Sequence, residues 1–181
     1  MKETGDELAL IYEDIDGDTL VSLDSKTSLG FLERLKLAYK LVLALQDIHS
    51  AGFVHRDINP SNIIWNYKTD RLHIIDFGLA LTPDQLDQLP VLDSTFQGTL
   101  TYLAPEQTGR VNHKVDHRVD LYSLGATLYE LFTGKPPFLA DSDLELVHAH
   151  IAKAPKPPSE IESFVPQVVS DMVLKLSLIH I

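Results

Sequence analysis

Between residues 29 and 50, apolar side chains recur at Leu32, Leu35, Ala38, Leu41, Val42, Leu45 and Ile48, the three-and-four spacing of a helix with a buried face. Ser28 stands in a capping position before it and Gly52 in a stop position after it. Upstream, Leu8-Ala9-Leu10-Ile11-Tyr12 is a short β-prone run, followed by a turn at Asp16-Gly17-Asp18. Downstream, residues 63–65 and 72–75 predict two short strands around a turn at 66–70. Strands this short bring the polar residues at their ends to a common rim. Residues 82–101 hold Pro83, Pro90 and Gly98 with no sustained period, which predicts a long loop, of a length that is usually functional or disordered. A second buried helix is predicted over 119–132, ended by Gly134 and Pro136-Pro137. A third and more exposed helix follows over 141–153, then a Pro-rich connector over 154–158 and a fourth helix over 165–176. No internal repeat interrupts this order. The pattern is α+β, mainly α.

Composition narrows the reading. Hydrophobic residues make up 44% and charged residues 23% of 181 positions, the balance of a chain with one core. Fifteen Lys and Arg against 26 Asp and Glu give a net charge of −11, so no basic stripe exists to neutralise nucleic-acid phosphates. With no cysteine, disulfides, thiolate zinc sites and cysteine nucleophiles are excluded. The most apolar helical stretch is broken by Glu33, Arg34, Lys36 and Lys40, so no membrane span is expected. The first seven residues lack the apolar run of a secretory signal, and a cytoplasmic location is expected.

The candidate chemistry lies between the first two helices. Asp57 and Asn62 flank a loop between a helix and a strand, and Asp76 ends the next strand. A hairpin there can gather a carboxylate, an amide oxygen and a second carboxylate. Hard oxygen ligands of this kind suit Mg²⁺, which takes few protein ligands and keeps water or phosphate oxygens for the rest. A further carboxylate nearby can accept a hydroxyl proton. Metal plus base is what phosphoryl transfer needs. Taken singly, Asp57, Asn62 and Asp76 are ordinary turn residues satisfying their own loops.

Three motifs in order resolve that ambiguity: His55-Arg56-Asp57-Ile58-Asn59-Pro60-Ser61-Asn62, Asp76-Phe77-Gly78 and Ala104-Pro105-Glu106. The set resembles the eukaryotic-type serine/threonine protein kinases. The resemblance implies a protein-kinase-like fold, here the C-terminal lobe with the hinge and the last small-lobe strand, using ATP and Mg²⁺. It makes Asp57 the catalytic base and Asn62 and Asp76 the metal ligands, with Asp76 also facing the nucleotide. Glu13, Ile15 and Ile64 would meet ATP near its adenine. His55 and Phe77 would stack, Gly78 would close the metal-binding triplet, and Arg56 would meet an activation-loop phosphate. Gly98-Thr99 with Tyr102 resembles the substrate loop of Ser/Thr kinases, which places Thr99 at the site. Glu106 would be a structural carboxylate, and Asp120, in Asp120-Leu121-Tyr122-Ser123-Leu124-Gly125, would brace the catalytic loop.

With Gln107-Thr108-Gly109-Arg110, the likeness extends to the N-terminal kinase domain of bacterial multi-module sensor kinases. That implies a protein partner presenting Ser or Thr, and downstream ATPase, sensor and histidine kinase modules in signal transduction related to two-component sensors. Two departures stand out. Asn59 occupies a position where most of the family has a phosphate-contacting Lys. No G-x-G-x-x-G occurs among the nine glycines, and no strand Lys precedes residue 8. The chain is therefore expected to be a fragment: residues 8–17 the last small-lobe strand and hinge, 18–175 the large lobe. Residues 176–181 resemble a translated sequencing adapter, so the family's final helix and the Arg that pairs with Glu106 are expected to be missing. Alone, the chain is expected to be inactive. The rival reading is a pseudokinase scaffold that binds partners. A small-molecule phosphotransferase of the aminoglycoside type is disfavoured by the Ala104-Pro105-Glu106 segment. Ser94 and Thr95 read equally as phosphorylation sites or plain loop residues. His113 and His117 read as surface histidines, since further zinc ligands are missing, and Trp65 reads as a packing residue.

Overall fold

The computed structural model describes residues 16–22, 29–88, 99–111 and 113–177. The elements in chain order are β1 (Asp18–Thr19), α1 (Phe31–Ser50), β2 (Ile63–Asn66), β3 (Arg71–Ile74), α2 (Pro83–Leu86), α3 (Arg118–Thr133), α4 (Asp143–Ala152), α5 (Pro158–Ile161) and α6 (Gln167–Ser177). The described part is mainly helical with a small antiparallel sheet, ordered β1-β2-β3.

Helix α1 begins at Gly30, whose N–H donates to the Glu33 carboxylate at 2.7 Å; the expected cap, Ser28, lies outside the described residues. Its end is set by Gly52, which takes φ +82°, a conformation that disfavours any side chain. The Gly52 N–H then reaches His49 O at 3.0 Å and the Phe53 N–H reaches Ile48 O at 3.2 Å, which satisfies two otherwise free carbonyls. The apolar face of α1 buries Leu37, Leu41 and Leu45 against Leu124, Leu128 and Phe132 of α3. From Val119 to Tyr129 only Leu121 of α3 is not fully buried, so this helix is the axis of the core. Val173 of α6 and Val165 close the same cluster from the other side, and Leu176 packs on its edge.

The β2–β3 hairpin pairs Ile63 with Ile74 and Asn66 with Arg71. Its turn is built by the Asn66 side chain, whose Oδ1 accepts from the N–H groups of Lys68 and Thr69. Asp70 ties the turn to α1 through Lys40 at 3.0 Å. Asp18 departs from the expected turn: it pairs with Trp65 in β1, while Thr19 pairs with Ile64. The reason is the open edge of β2, together with Asn66 Nδ2 donating to Asp16 O at 2.8 Å. The backbone approaches so closely there that a Cβ on Gly17 would lie 2.7 Å from Ile64 Cγ2.

The stretch expected as a loop over 82–101 contains the short helix α2. Thr82 accepts from Gln85 N, Gln85 Oε1 accepts from Thr82 N, and Pro83 stands at the first helical position. Leu86 anchors it in a second apolar cluster with Val54, Ala104, Val119 and Tyr122. Residues 89–98, including Ser94 and Thr95, lie outside the described part. Among the described residues, no helix is long and apolar enough to cross a membrane.

Candidate active site

Asp120, in the first turn of α3, has no exposed surface. Its Oδ2 accepts the His55 N–H at 2.8 Å and its Oδ1 accepts the Arg56 N–H at 2.7 Å. His49, in the last turn of α1, directs Nε2 at Oδ2 from 2.8 Å. One buried carboxylate thus pins the backbone of the loop and joins it to both major helices. Arg56 is held at φ +70°, a strained conformation for a residue with a side chain. Its guanidinium reaches Leu79 O at 3.3 Å, and Gln107 Nε2 donates to its carbonyl at 2.9 Å.

Side chains of the loop itself, His55 and Asn59, fix the neighbouring backbone. His55 accepts the Asp57 N–H on Nδ1 at 3.3 Å, so its proton is on Nε2, which lies 3.1 Å from Ile75 O. The His55 and Phe77 rings meet edge to face at 4.9 Å. Asn59, 1% exposed, accepts Ser61 N–H through Oδ1 and so starts the one-turn helix Pro60–Asn62. Its Nδ2 donates to Asp57 O at 3.1 Å and to Thr99 Oγ1 at 3.2 Å.

Asp57 sits at the centre of this loop. Its Oδ2 accepts from Asn62 Nδ2 at 2.9 Å, and its Oδ1 accepts the Thr99 N–H at 3.0 Å. Asn62 Nδ2 also donates to Asp57 O at 2.9 Å, which commits the amide nitrogen and leaves the amide oxygen as the atom that can take a cation. The Asn62 carbonyl accepts Ile75 N–H at 2.8 Å, which brings the residue before Asp76 beside it. Asp76 is exposed at φ +63°, and its Oδ1 accepts Gly78 N–H at 3.2 Å. Asn62 and Asp76 offer one amide and one carboxylate oxygen, a hard-donor pair that fits Mg²⁺ with phosphate or water completing the shell. Among the described residues, no three His, Asp or Glu side chains converge as a separate metal site.

The segment beyond Thr99 is anchored from below. Ser123 Oγ donates to Tyr102 O at 2.8 Å, and the Tyr102 hydroxyl donates to the Glu130 carboxylate. Burial and that carboxylate raise the Tyr102 hydroxyl well above its ordinary pKa, so it stays protonated. Glu106 is 4% exposed. Ile64 is half-buried on β2 beneath Gly17. Glu13 and Ile15, expected near a nucleotide, lie outside the described residues, as does Tyr12.

Sequence reasoning passed over His49, although a histidine in the last helical turn is the one signal that could have marked it. It also passed over Gln107 as a brace, and over the pair of Tyr122 and His150, whose hydroxyl and Nδ1 lie 2.7 Å apart. His113 and His117 are exposed; the His117 ring meets His49 at 5.9 Å.

A helical lobe around α3, capped by a hairpin that delivers Asp57, Asn62 and Asp76 to one rim, defines the class: the large lobe of a kinase-like fold. Comparison with known proteins agrees. Residues 1–177 match the protein kinase domain. A probable serine/threonine-protein kinase of Streptomyces coelicolor is 34% identical over 167 residues, 92% of this chain and 24% of that protein. The serine/threonine-protein kinase PknB of Mycolicibacterium smegmatis is 32% identical over 92% of this chain and 26% of its own length. The DNA damage-responsive serine/threonine-protein kinase RqkA of Deinococcus radiodurans is 39% identical over 74% of this chain and 19% of its own length. The chain belongs to the protein kinase family, and by its relatives to the serine/threonine kinases. It spans about a quarter of the length of the first of these relatives.

Proposed function

We propose that this chain carries the catalytic loop of a bacterial kinase that moves the γ-phosphoryl group of Mg-ATP to a Ser or Thr hydroxyl of a protein. The observation that supports it best is Asp57, held at both carboxylate oxygens by Asn62 and the Thr99 N–H. An acceptor hydroxyl placed at that carboxylate passes its proton to Asp57 as its oxygen bonds to the γ-phosphorus, and the bond to the ADP oxygen breaks. Bound at Asn62 and Asp76, Mg²⁺ would neutralise charge on the phosphates. Asn59 orders Thr99 and the Asp57 carbonyl; it supplies no cation to the transferring phosphate.

The finer reading assigns 8–17 to the last small-lobe strand and hinge and 18–175 to the large lobe. Glu13, Ile15 and Ile64 face adenine there, and further sensor, ATPase and histidine kinase modules follow in a cytoplasmic signalling protein. The lobe bounds and adenine contacts rest on the likeness to the kinase family, and the further modules on the resemblance of residues 55–64 and 104–110 to multi-module sensor kinases. The 181 residues hold no G-x-G-x-x-G loop, so alone they transfer no phosphate. The test is radiolabelled ATP with a generic protein acceptor, comparing this chain, a longer form containing such a loop, and that form with Asp57→Asn. Transfer by the longer form alone, lost in Asp57→Asn, is expected. Asp57-dependent transfer by the 181-residue chain would overturn the inactivity reading. No transfer by the longer form would favour the scaffold reading, which draws its support from Asn59.

A further inference from the structure

Gln107 stands in the one-turn helix Pro105–Thr108, and its side chain joins two separate stretches of backbone. Its Oε1 accepts the Ala104 N–H at 3.2 Å, and its Nε2 donates to Arg56 O at 2.9 Å, across 51 residues. The two partners, one N–H and one C=O, fix the amide the same way round, since only its oxygen accepts and only its nitrogen donates. Ala104 has no exposed surface and packs with Val54, Leu86, Val119 and Tyr122, so the Gln107 side chain is anchored on the core at one end. At the other end it meets the peptide that joins Arg56 to Asp57. The N–H of that same peptide donates to His55 Nδ1 at 3.3 Å. Both edges of the peptide unit entering Asp57 are therefore held by side chains, one from the catalytic loop and one from the segment that ends in Gln107.

We infer that Gln107 is a positioning residue: it fixes the peptide before Asp57 and makes the segment from Thr99 to Gln107 move as one piece with that carboxylate. The inference rests on the kinase reading for what Asp57 does, though not for the contacts themselves. The same segment reaches Asp57 a second time, through the Thr99 N–H on Oδ1 at 3.0 Å. One tie acts on the backbone before Asp57 and the other on its side chain, so a shift of the segment displaces the base as a whole. The chemistry of the position is narrow. At neutral pH a glutamate could accept from Ala104 but not donate to Arg56 O, a lysine could donate but not accept, and an apolar side chain could do neither. Arg56 makes the tie matter, because its backbone at φ +70° is a conformation the residue would leave if released. Asp120 holds the Arg56 N–H and Gln107 holds its carbonyl, so the strained residue is gripped from both sides.

Hydrogen exchange on the 181-residue chain, followed by NMR, reads the Asp57 and Ala104 amides against the core amides of α1 and α3. In Gln107→Glu, which keeps shape and acceptor, the Asp57 amide should exchange about tenfold faster, with Ala104 and the core amides unchanged. In Gln107→Met, which keeps only the length, both amides should exchange faster. Gln46→Glu, the same change at an exposed position of α1, should alter neither. Faster exchange spread evenly over Asp57, α1 and α3 would mean a general loss of stability and overturn the inference, as would an Asp57 amide unchanged in both Gln107 variants. In a longer, active form, Gln107→Glu should lower kcat about tenfold per folded molecule with KM for ATP unchanged, since a misplaced base slows transfer without loosening the nucleotide. An unchanged kcat there would overturn the positioning role. Absence of transfer by the wild-type longer form would strike the kinase reading alone, because the exchange results decide the Gln107 ties without it.

Discussion

Replacing Asp120 by alanine tests the central brace of the site. The carboxylate accepts two backbone N–H groups at 2.7 and 2.8 Å and faces His49 at 2.8 Å, all with no exposed surface of its own. Hydrogen bonds to a charged group contribute about 1.5–3 kcal/mol each, and the His55 N–H would be left buried without an acceptor. Removing the buried charge recovers part of its desolvation penalty, so the net loss should be about 3–5 kcal/mol. Arg56 works the other way: its left-handed backbone costs about 1–2 kcal/mol, is held in place by the same carboxylate, and relaxes when the carboxylate is lost, which offsets part of the loss. For a urea slope of about 2 kcal/mol/M, the midpoint should fall by roughly 2 M. Urea unfolding followed by far-UV circular dichroism gives the midpoint, and hydrogen exchange shows whether residues 55–57 lose protection before α1 and α3. Asp120→Asn, with one oxygen left, should lie between. A midpoint shift under about 0.5 M with protection at 55–57 unchanged would refute the argument.

Acid should destabilise the fold through His150. Burial pushes its pKa down to about 4 from 6.5, against a smaller upward pull from the Thr101 and Leu100 carbonyls. As pH falls below 6.5 the unfolded chain binds a proton that the folded chain refuses until about 4, so stability present above pH 6.5 is lost across that window. The loss is about 3 kcal/mol, and His150→Phe should flatten that part of the stability curve measured by urea midpoints. Gly17→Ala should destabilise by about 1–3 kcal/mol, since its Cβ would meet Ile64 Cγ2 at 2.7 Å and the Trp65 carbonyl carbon at 2.9 Å; a thermal melt at wild-type temperature would contradict this. Phe132→Ala, at a 2% exposed position beside Phe31, should lower stability by about 3–5 kcal/mol in a denaturant titration.

Periodicity located the structural elements well where burial is one-sided or total. The spacing of Leu41, Leu45 and Ile48 placed α1, and the apolar run before Gly134 placed α3, because a helix must present its apolar side to a core. The alternation of turn residues and β-branched runs placed the hairpin, whose turn Asn66 builds with its own side chain. The short helix α2 escaped notice although its signals were local and present: Thr82, Pro83 and Gln85 form a capping box with proline at the first position. Two prolines nearby outweighed them. The strand role of Asp18 was not legible locally, because a two-residue strand is defined by the edge it joins rather than by its own residues.

The amino-acid sequence by itself determined the family and the order of its functional segments, since Asp57, Asn62 and Asp76 must lie near strand ends for a short hairpin to gather them. What it could not determine was which side chains hold that site in place. Asp120 reaches His55 across 65 residues and Arg56 across 64, His49 reaches Asp120 across 71, and Thr99 reaches Asp57 across 42. Contacts at such separations depend on how α1, α3 and the segment from Thr99 to Tyr102 pack together. Burial then sets the chemistry: inside the core His150 resists taking a proton, whereas His148 on the same helix faces solvent. The residue types are written in the chain, but their protonation and their partners follow from exclusion of water, which only tertiary packing produces.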